Sequence, residues 1–291
     1  MTLPDDSAWL PAVQRWADSP LIVLERQPLA GGYVAGAVHR VDLVPQRSGR
    51  VLSVVVKQAQ ATEIAAMRAV AAVPGVPRPT LLAAGPGWLV VPHYRGRPPD
   101  ADEPVADEVF DLLARVHGHW LDRPPPGVPV VDARWWASLC DYTLVAVRGA
   151  VARTGDTRFA VAAESLQAWR TDPRIVRALE VLPRTLVHGD PHRGNLLVGP
   201  DATVLIDWGN ARVAPAGLDL AVLGAQDAAT PPVYWRVRGG GGPDPVETAW
   251  ARAHVHVQYM SFAADHLGAA RVAEMAGTAA GALDELAAVL D

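Results

Sequence analysis

The sequence predicts an α+β chain in two lobes: a small β-sheet N-lobe with one main helix over residues 1–92, and a larger, mostly helical C-lobe over 93–291. Three observations predict it. Strand-like, β-branched runs crowd the first part of the chain around a single helical stretch, and after Gly96 the apolar spacing changes to that of helices. Strand character then returns at 185–206, inside the helical part, as the two arms of a short hairpin.

The elements follow in order. Residues 21–24 and 37–44 read as strands on either side of a glycine-containing turn at 30–36, and 51–57 is a third strand that ends in Lys57. Residues 61–73 have helical composition, with Ile64, Met67, Val70 and Ala71 on one stripe, closed by Pro74, Pro77 and Pro79. Residues 80–84 and 88–91 complete a set of five strands, and the stretch 92–96 marks the lobe boundary. The segment 104–119 places Val109, Leu112, Leu113 and Val116 on a helical period, with acidic residues near its start, where the helix dipole favours them. Further helices are predicted at 132–153 and 159–169, short strands at 185–188, 196–198 and 204–206, and an Ala-rich helical tail from Pro245. The glycine run 239–242 follows no strand and reads as a loop, not a phosphate cradle.

Composition narrows the class. The chain has 291 residues, 50% hydrophobic and 20% charged, so it has material for a buried core and is not a disordered protein. Its single Cys140 excludes an intrachain disulfide, and the net charge of −5 with scattered Arg makes nucleic acid an unsuitable partner. No charge-free apolar run reaches the ~18 residues of a membrane span, and the acidic start is unlike a secretory signal. The expectation is a cytoplasmic protein acting on small molecules, with neither membrane nor nucleic acid as partner. Of the 26 basic residues all but Lys57 are Arg, and Asn occurs only at Asn195 and Asn210. Usage bias explains a lone lysine; so does a site that needs a compact ammonium on a flexible stem.

The informative segment is 186–209, LVHGDPHRGNLLVGPDATVLIDWG. A strand runs into His188, Gly189 and Asp190 on a tight loop. Asn195 opens the next strand, turn residues surround Asp201, and the return strand ends at Asp207. Asn195 and Asp207 each lie six residues from Asp201, so a hairpin centred there brings both side chains to one end, beside Asp190. Two carboxylates and an amide oxygen at a strand end suit a hard divalent cation and a base. Singly, each residue also reads as a polar group stabilising a turn.

The pattern HGD, four residues, Asn, a hydrophobic strand and DWG resembles the aminoglycoside phosphotransferase and choline kinase group, relatives of the protein kinases. The resemblance implies a bilobal, protein-kinase-like fold and an ATP- or GTP- and Mg²⁺-dependent O-phosphotransferase, which moves the γ-phosphate to a hydroxyl of a small molecule such as an aminoglycoside-like antibiotic, sugar or amino alcohol. It implies Asp190 as the group accepting the hydroxyl proton, and Asn195 and Asp207 as Mg²⁺ ligands. Lys57 would meet the nucleotide phosphates, oriented by Glu63. Gly31 and Gly32 would cover the phosphates, Val91 would stand as gatekeeper, and Pro92 and Tyr94 would face the adenine edge at the hinge. His188 is read as a packing residue, His192 as a solvated loop residue or a neighbour of the transferred phosphate, and Asp219 as a brace for the HGD loop. Trp235, Trp250, Tyr259 and Asp265 are candidates for the acceptor side, or an aromatic face of the core. Two other readings stand beside this one: a metal-dependent hydrolase built on His188, Asp190, His192 and Asp207, and a non-catalytic nucleotide-binding protein on the same fold. The acceptor's identity and the oligomeric state are not written in the sequence.

Overall fold

Alternation of apolar side chains builds the first unit, an antiparallel sheet. A computed structural model describes residues 4–29, 37–47, 49–76, 79–226 and 229–290. In it β1 (Leu21–Pro28), β2 (Val38–Pro45), β3 (Leu52–Gln58), β4 (Ala83–Gly85) and β5 (Trp88–Pro92) lie in the order β1-β2-β3-β5-β4, every neighbouring pair antiparallel. Helix α1 (Asp6–Ala17) covers one face, where Trp9 and Val13 pack on Leu43, Val54, Val56 and Val90. The opposite face receives α2 (Ala61–Ala71), the helix expected at 61–73.

Helix α1 is not anticipated from the sequence. Pro11 stands inside it and reads as a breaker, yet Asp5 caps its first turn and Trp9 and Val13, four residues apart, supply a narrow apolar stripe. The fourth strand is shorter than the segment 80–84: the Thr80 N–H points instead to the Tyr94 hydroxyl, 2.7 Å away, and pairing begins at Ala83.

Beyond the sheet the chain is mostly helical. It runs through α3 (Asp107–His119), α4 (Ala133–Thr154), α5 (Thr157–Trp169), α6 (Pro173–Val181), α7 (Gly217–Gly224), α8 (Pro232–Arg238), α9 (Pro245–His266) and α10 (Ala269–Leu290). Asp132, Asp156, Asp172 and Asp244 accept from N–H groups of the first turns of α4, α5, α6 and α9, which fixes where these helices start. The tail expected as one helical stretch is two antiparallel helices, because Gly268 takes φ +86° and lets the chain reverse. Four short strands sit among the helices: β6 (Thr185–Val187) pairs with β9 (Arg212–Ala214), and β7 (Leu196–Val198) with β8 (Thr203–Leu205). Strand β9 and helices α6 to α8 have no counterpart in the sequence reading.

Two cores divide this part. One joins α4, α5, α6, α9 and α10 around Trp136, Leu166 and Trp250. The other places α2 and α3 against the β7–β8 hairpin through Met67, Leu113, Leu196 and Trp208, and it is this second core that sets the sheet's open face opposite the hairpin end. Among the described residues, no helix is long and apolar enough to cross a membrane. The architecture is the α+β class the sequence predicts, an antiparallel sheet region followed by a mostly helical region.

Candidate functional site

Strand alternation aims Lys57. Val54 and Val56 turn into the core under α1, so Lys57 projects from the other face, beside its β5 neighbour Leu89. Because α2 begins three residues after β3 ends, the chain folds straight back and Glu63 lies buried in the first turn of α2. The Lys57 Nζ stands 2.7 Å from Glu63 Oε1 and 2.7 Å from Asp207 Oδ1. Burial works to lower the lysine pKa, but the two carboxylates, Glu63 ahead of Asp207, outweigh it and hold the ammonium above its usual range. Burial pushes the Glu63 carboxyl upward against the pull of Lys57. Burial also pushes Asp207 upward, but there the charge and hydrogen bond of Lys57 prevail, and its carboxyl ends below the ordinary range. Asp207 itself takes φ +62°, a left-handed conformation that Asp tolerates better than most side chains.

The Asp190 loop is held from several directions. Gly189 turns at φ +80°, and a Cβ there would collide with the carbonyl oxygen of Asn210. From the first turn of α7, the buried Asp219 accepts from the N–H groups of His188 at 2.8 Å and Gly189 at 2.7 Å. Its other neighbour is His117 Nε2 at 3.2 Å, and His117 Nδ1 in turn lies 2.9 Å from the Tyr234 hydroxyl. Burial drives the Asp219 carboxyl upward, and the hydrogen bond and charge of His117 more than reverse it, leaving it below the usual value. The Gly189 carbonyl accepts from Arg212 Nη2 at 3.1 Å and from Gln258 Nε2 at 3.0 Å. Burial brings the Arg212 guanidinium down to about 10, and its plane lies 4.8 Å from the centre of the Trp135 ring.

The Asp190 carboxylate accepts from the Tyr259 hydroxyl at Oδ1 and from Asn210 Nδ2 at Oδ2, the latter at 3.0 Å. Asn195 donates its amide N–H to the Asp190 carbonyl at 2.9 Å, which leaves the amide oxygen of Asn195 free of that contact. The Asn195 carbonyl accepts from the Ile206 N–H at 2.8 Å, and so Asn195 and Asp207 flank the same end of the β7–β8 hairpin.

The remaining residues singled out in the sequence divide. Val91 and Pro92 close β5 opposite Val55 and Val54, with Val91 on the Leu89 face and partly packed in the second core. Tyr94 lies just beyond, its hydroxyl tied to Thr80. Gly31 and Gly32 lie outside the described residues. His192 caps the turn that follows it by accepting from the Gly194 N–H at 2.9 Å, and its Nε2 is 3.8 Å from Asp190 Oδ2. The acceptor-side group does not assemble as a face. Trp250 is fully buried beside His254, Trp235 packs edge-on to Tyr234, and Asp265 pairs with Arg153 at 2.8 Å; of the four, Tyr259 reaches Asp190.

The hydrolase reading is corrected by His188. Its Nε2 donates to the Ile206 carbonyl at 2.9 Å, its Nδ1 accepts from the Asp190 N–H at 3.3 Å, and burial holds the ring neutral against the charge of Asp219. Both nitrogens are thus engaged, so His188 has no lone pair to give a metal. Among the described residues, no three His, Cys, Asp or Glu side chains group as a metal site. The sequence reading also missed Asn210, Arg212 and Gln258. The scarcity of Asn was a signal for the first; the other two carry none, since their partners lie 23 and 69 residues away.

Comparisons with known proteins bear on the family and the fold. A family model described as APH, phosphotransferase enzyme family, matches residues 27–256. The chain is similar in structure to a putative fructosamine-3-kinase from Thermobifida fusca YX-ER1, at 18% identity and a TM-score of 0.63, over 94% of this chain and 98% of that one. A choline/ethanolamine kinase family protein from Mesorhizobium loti follows at 16% identity and 0.53, over 92% and 88%. A mutant of aminoglycoside 2'-phosphotransferase-IIIa in its GDP complex gives 15% identity and 0.50, over 96% of each chain. At these identities the likeness is one of fold. A search of the curated proteins finds no match.

Proposed function

The chain belongs to the phosphotransferase enzyme family, and we propose that it is a small-molecule kinase that transfers the γ-phosphate of ATP or GTP, with Mg²⁺, to a hydroxyl of a small acceptor. The observation that carries this reading is the convergence of Lys57, Glu63 and Asp207, from β3, α2 and the hairpin end, onto one ammonium held between two carboxylates. In the proposed division of labour, residues 1–92 cover the nucleotide and residues 93–291 carry the Asp190 loop and the acceptor. The site of this work is the cytoplasm, where nucleoside triphosphates are at hand.

Lys57 anchors the phosphates as a point charge, and Glu63 keeps it turned toward them. Val91, Pro92 and Tyr94, at the end of β5, meet the base. Asp190 accepts the proton of the acceptor hydroxyl as the oxygen attacks phosphorus, and the nucleoside diphosphate leaves. Asp207 offers a carboxylate and Asn195 an amide oxygen, hard oxygen donors of the kind Mg²⁺ takes, and Asn195 has its nitrogen already committed to Asp190. When bound, the ion neutralises charge on the phosphates. Everything else in the site positions and orients, which is what this type of transfer requires.

Two variants test the reading. Mg²⁺-ATP or Mg²⁺-GTP at ~100 times its dissociation constant stabilises the fold by about 2.7 kcal/mol, and Asp207→Ala removes that gain; a melting temperature indifferent to nucleotide contradicts the proposal. Asp190→Ala keeps the nucleotide-dependent shift and lowers turnover by about 10²–10⁴-fold, read as ADP release across amino sugars, amino alcohols and antibiotics. Binding without transfer to any acceptor supports instead the non-catalytic reading.

A further inference from the structure

Tyr259 is the half-buried partner of the group assigned to receive the proton. It rises from the middle of α9, and its neighbour Gln258 bonds the Gly189 carbonyl at 3.0 Å. Two successive residues of one helix therefore grip two successive residues of the catalytic loop. The Tyr259 hydroxyl donates to Asp190 Oδ1, while Asn210 donates to Oδ2 at 3.0 Å.

The two donors differ in setting. Asn210 is exposed, as is Asp207 of the Lys57 cluster; Tyr259 comes from α9, which packs in the helical core, and is only partly accessible. Burial, reinforced by the Asp190 charge, pushes the Tyr259 phenol far above its ordinary range, so it stays a donor through any working pH. A carboxylate has about four lone-pair positions, and these two bonds leave some for an incoming hydroxyl. They also remove the carboxylate's freedom to rotate, one bond from each side.

We infer that Tyr259 is a positioning residue for phosphoryl transfer: its hydroxyl fixes the rotation of the Asp190 carboxylate so that Oδ2, on the open side, is presented to the acceptor. This rests on the role given to Asp190 above. A base misplaced by about 1 Å loses on the order of 10²-fold in rate, which sets the scale of the effect.

The experiment compares wild type, Tyr259→Phe, Asp190→Asn and the double variant. ADP release from Mg²⁺-ATP is measured first with water as the sole acceptor, then with ethanolamine, choline and glucosamine added singly. Tyr259→Phe lowers kcat by about 10- to 100-fold, leaves the KM for ATP and the nucleotide-induced thermal shift unchanged, and adds no further loss in the Asp190→Asn background. Losses that simply multiply in the double variant overturn the inference, as does turnover within about twofold of wild type or above it. Recovery of phosphate on Tyr259 by mass spectrometry also overturns it, because the phenol is then an acceptor. If Asp190→Asn leaves turnover intact, the role of Asp190 fails and this inference fails with it. Absence of ADP release from the wild type with every acceptor rejects the functional reading as a whole.

Discussion

Lys57 shows how much a single residue can disclose. In a chain that otherwise uses Arg for every basic position, the one ammonium stands 2.7 Å from each of two carboxylates that come from different elements. Its chemistry explains the exception, because a guanidinium is a planar fork and cannot stand as a compact charge between Glu63 and Asp207. Lys57→Arg is expected to keep the fold and weaken Mg²⁺-nucleotide binding by at least about tenfold, about 1.4 kcal/mol. Titration calorimetry checks this, and unchanged affinity argues that any cation serves. Lys57, Asp190, Asn195 and Asp207 were legible because motif and residue bias are local properties of the sequence. Tyr259 stood in the sequence reading only as one of a group with Trp235, Trp250 and Asp265, since nothing local tells a phenol that bonds a carboxylate from an indole that fills a core. Arg212 and Gln258 were invisible for a related reason: a buried polar residue is identified by its partners, and theirs arrive only when β9 and α9 close on the loop.

At the scale of elements, periodicity served the long segments and failed the short ones. The sheet strands, α2 to α5 and the hairpin follow directly from spacing and turn chemistry. Strand β9 has three residues and no alternation to betray it, and it is a strand because β6 offers it hydrogen bonds. Helix α1 carries Pro11 within it, a cost outweighed by tertiary packing of Trp9 on the sheet. The loop between β6 and the hairpin depends on one backbone conformation. At Gly189 a side chain meets both an unfavourable φ of +80° and the Asn210 carbonyl. Gly189→Ala is expected to cost about 2–3 kcal/mol and to abolish transfer, because the loop must move for the methyl to fit. Equilibrium denaturation with a parallel activity assay checks it; a variant of native stability and native turnover shows that the turn is not required.

The molecule as a whole carries several imidazoles in surroundings that favour their neutral form. Burial lowers the pKa of His188, His254, His256 and His93, in the case of His254 well below its usual value, with Arg212 adding to the effect. The unfolded chain takes up protons at these rings near pH 6.5, whereas the folded chain resists them. Stability therefore falls as pH drops from about 6.5 toward the folded values. Glu63, raised by burial, works in the opposite direction, as one group against four. Asp219 and Asp207, both lowered, hold their contributions down to below the ordinary carboxylate range and do not enter this window. Unfolding free energy is expected to be about 2 kcal/mol or more lower at pH ~5.5 than at pH ~7.5, with part of the difference lost in His254→Phe. Denaturant titrations at the two pH values decide it, and equal stabilities refute it. Another property of the molecule follows from its lone ammonium. Two negative groups for one positive leave that cluster acidic. A naked polyphosphate would be repelled there, while one escorted by a divalent ion would arrive with its charge partly cancelled. On the proposed function, the cluster would thus favour the metal-bound form of the nucleotide over the free one.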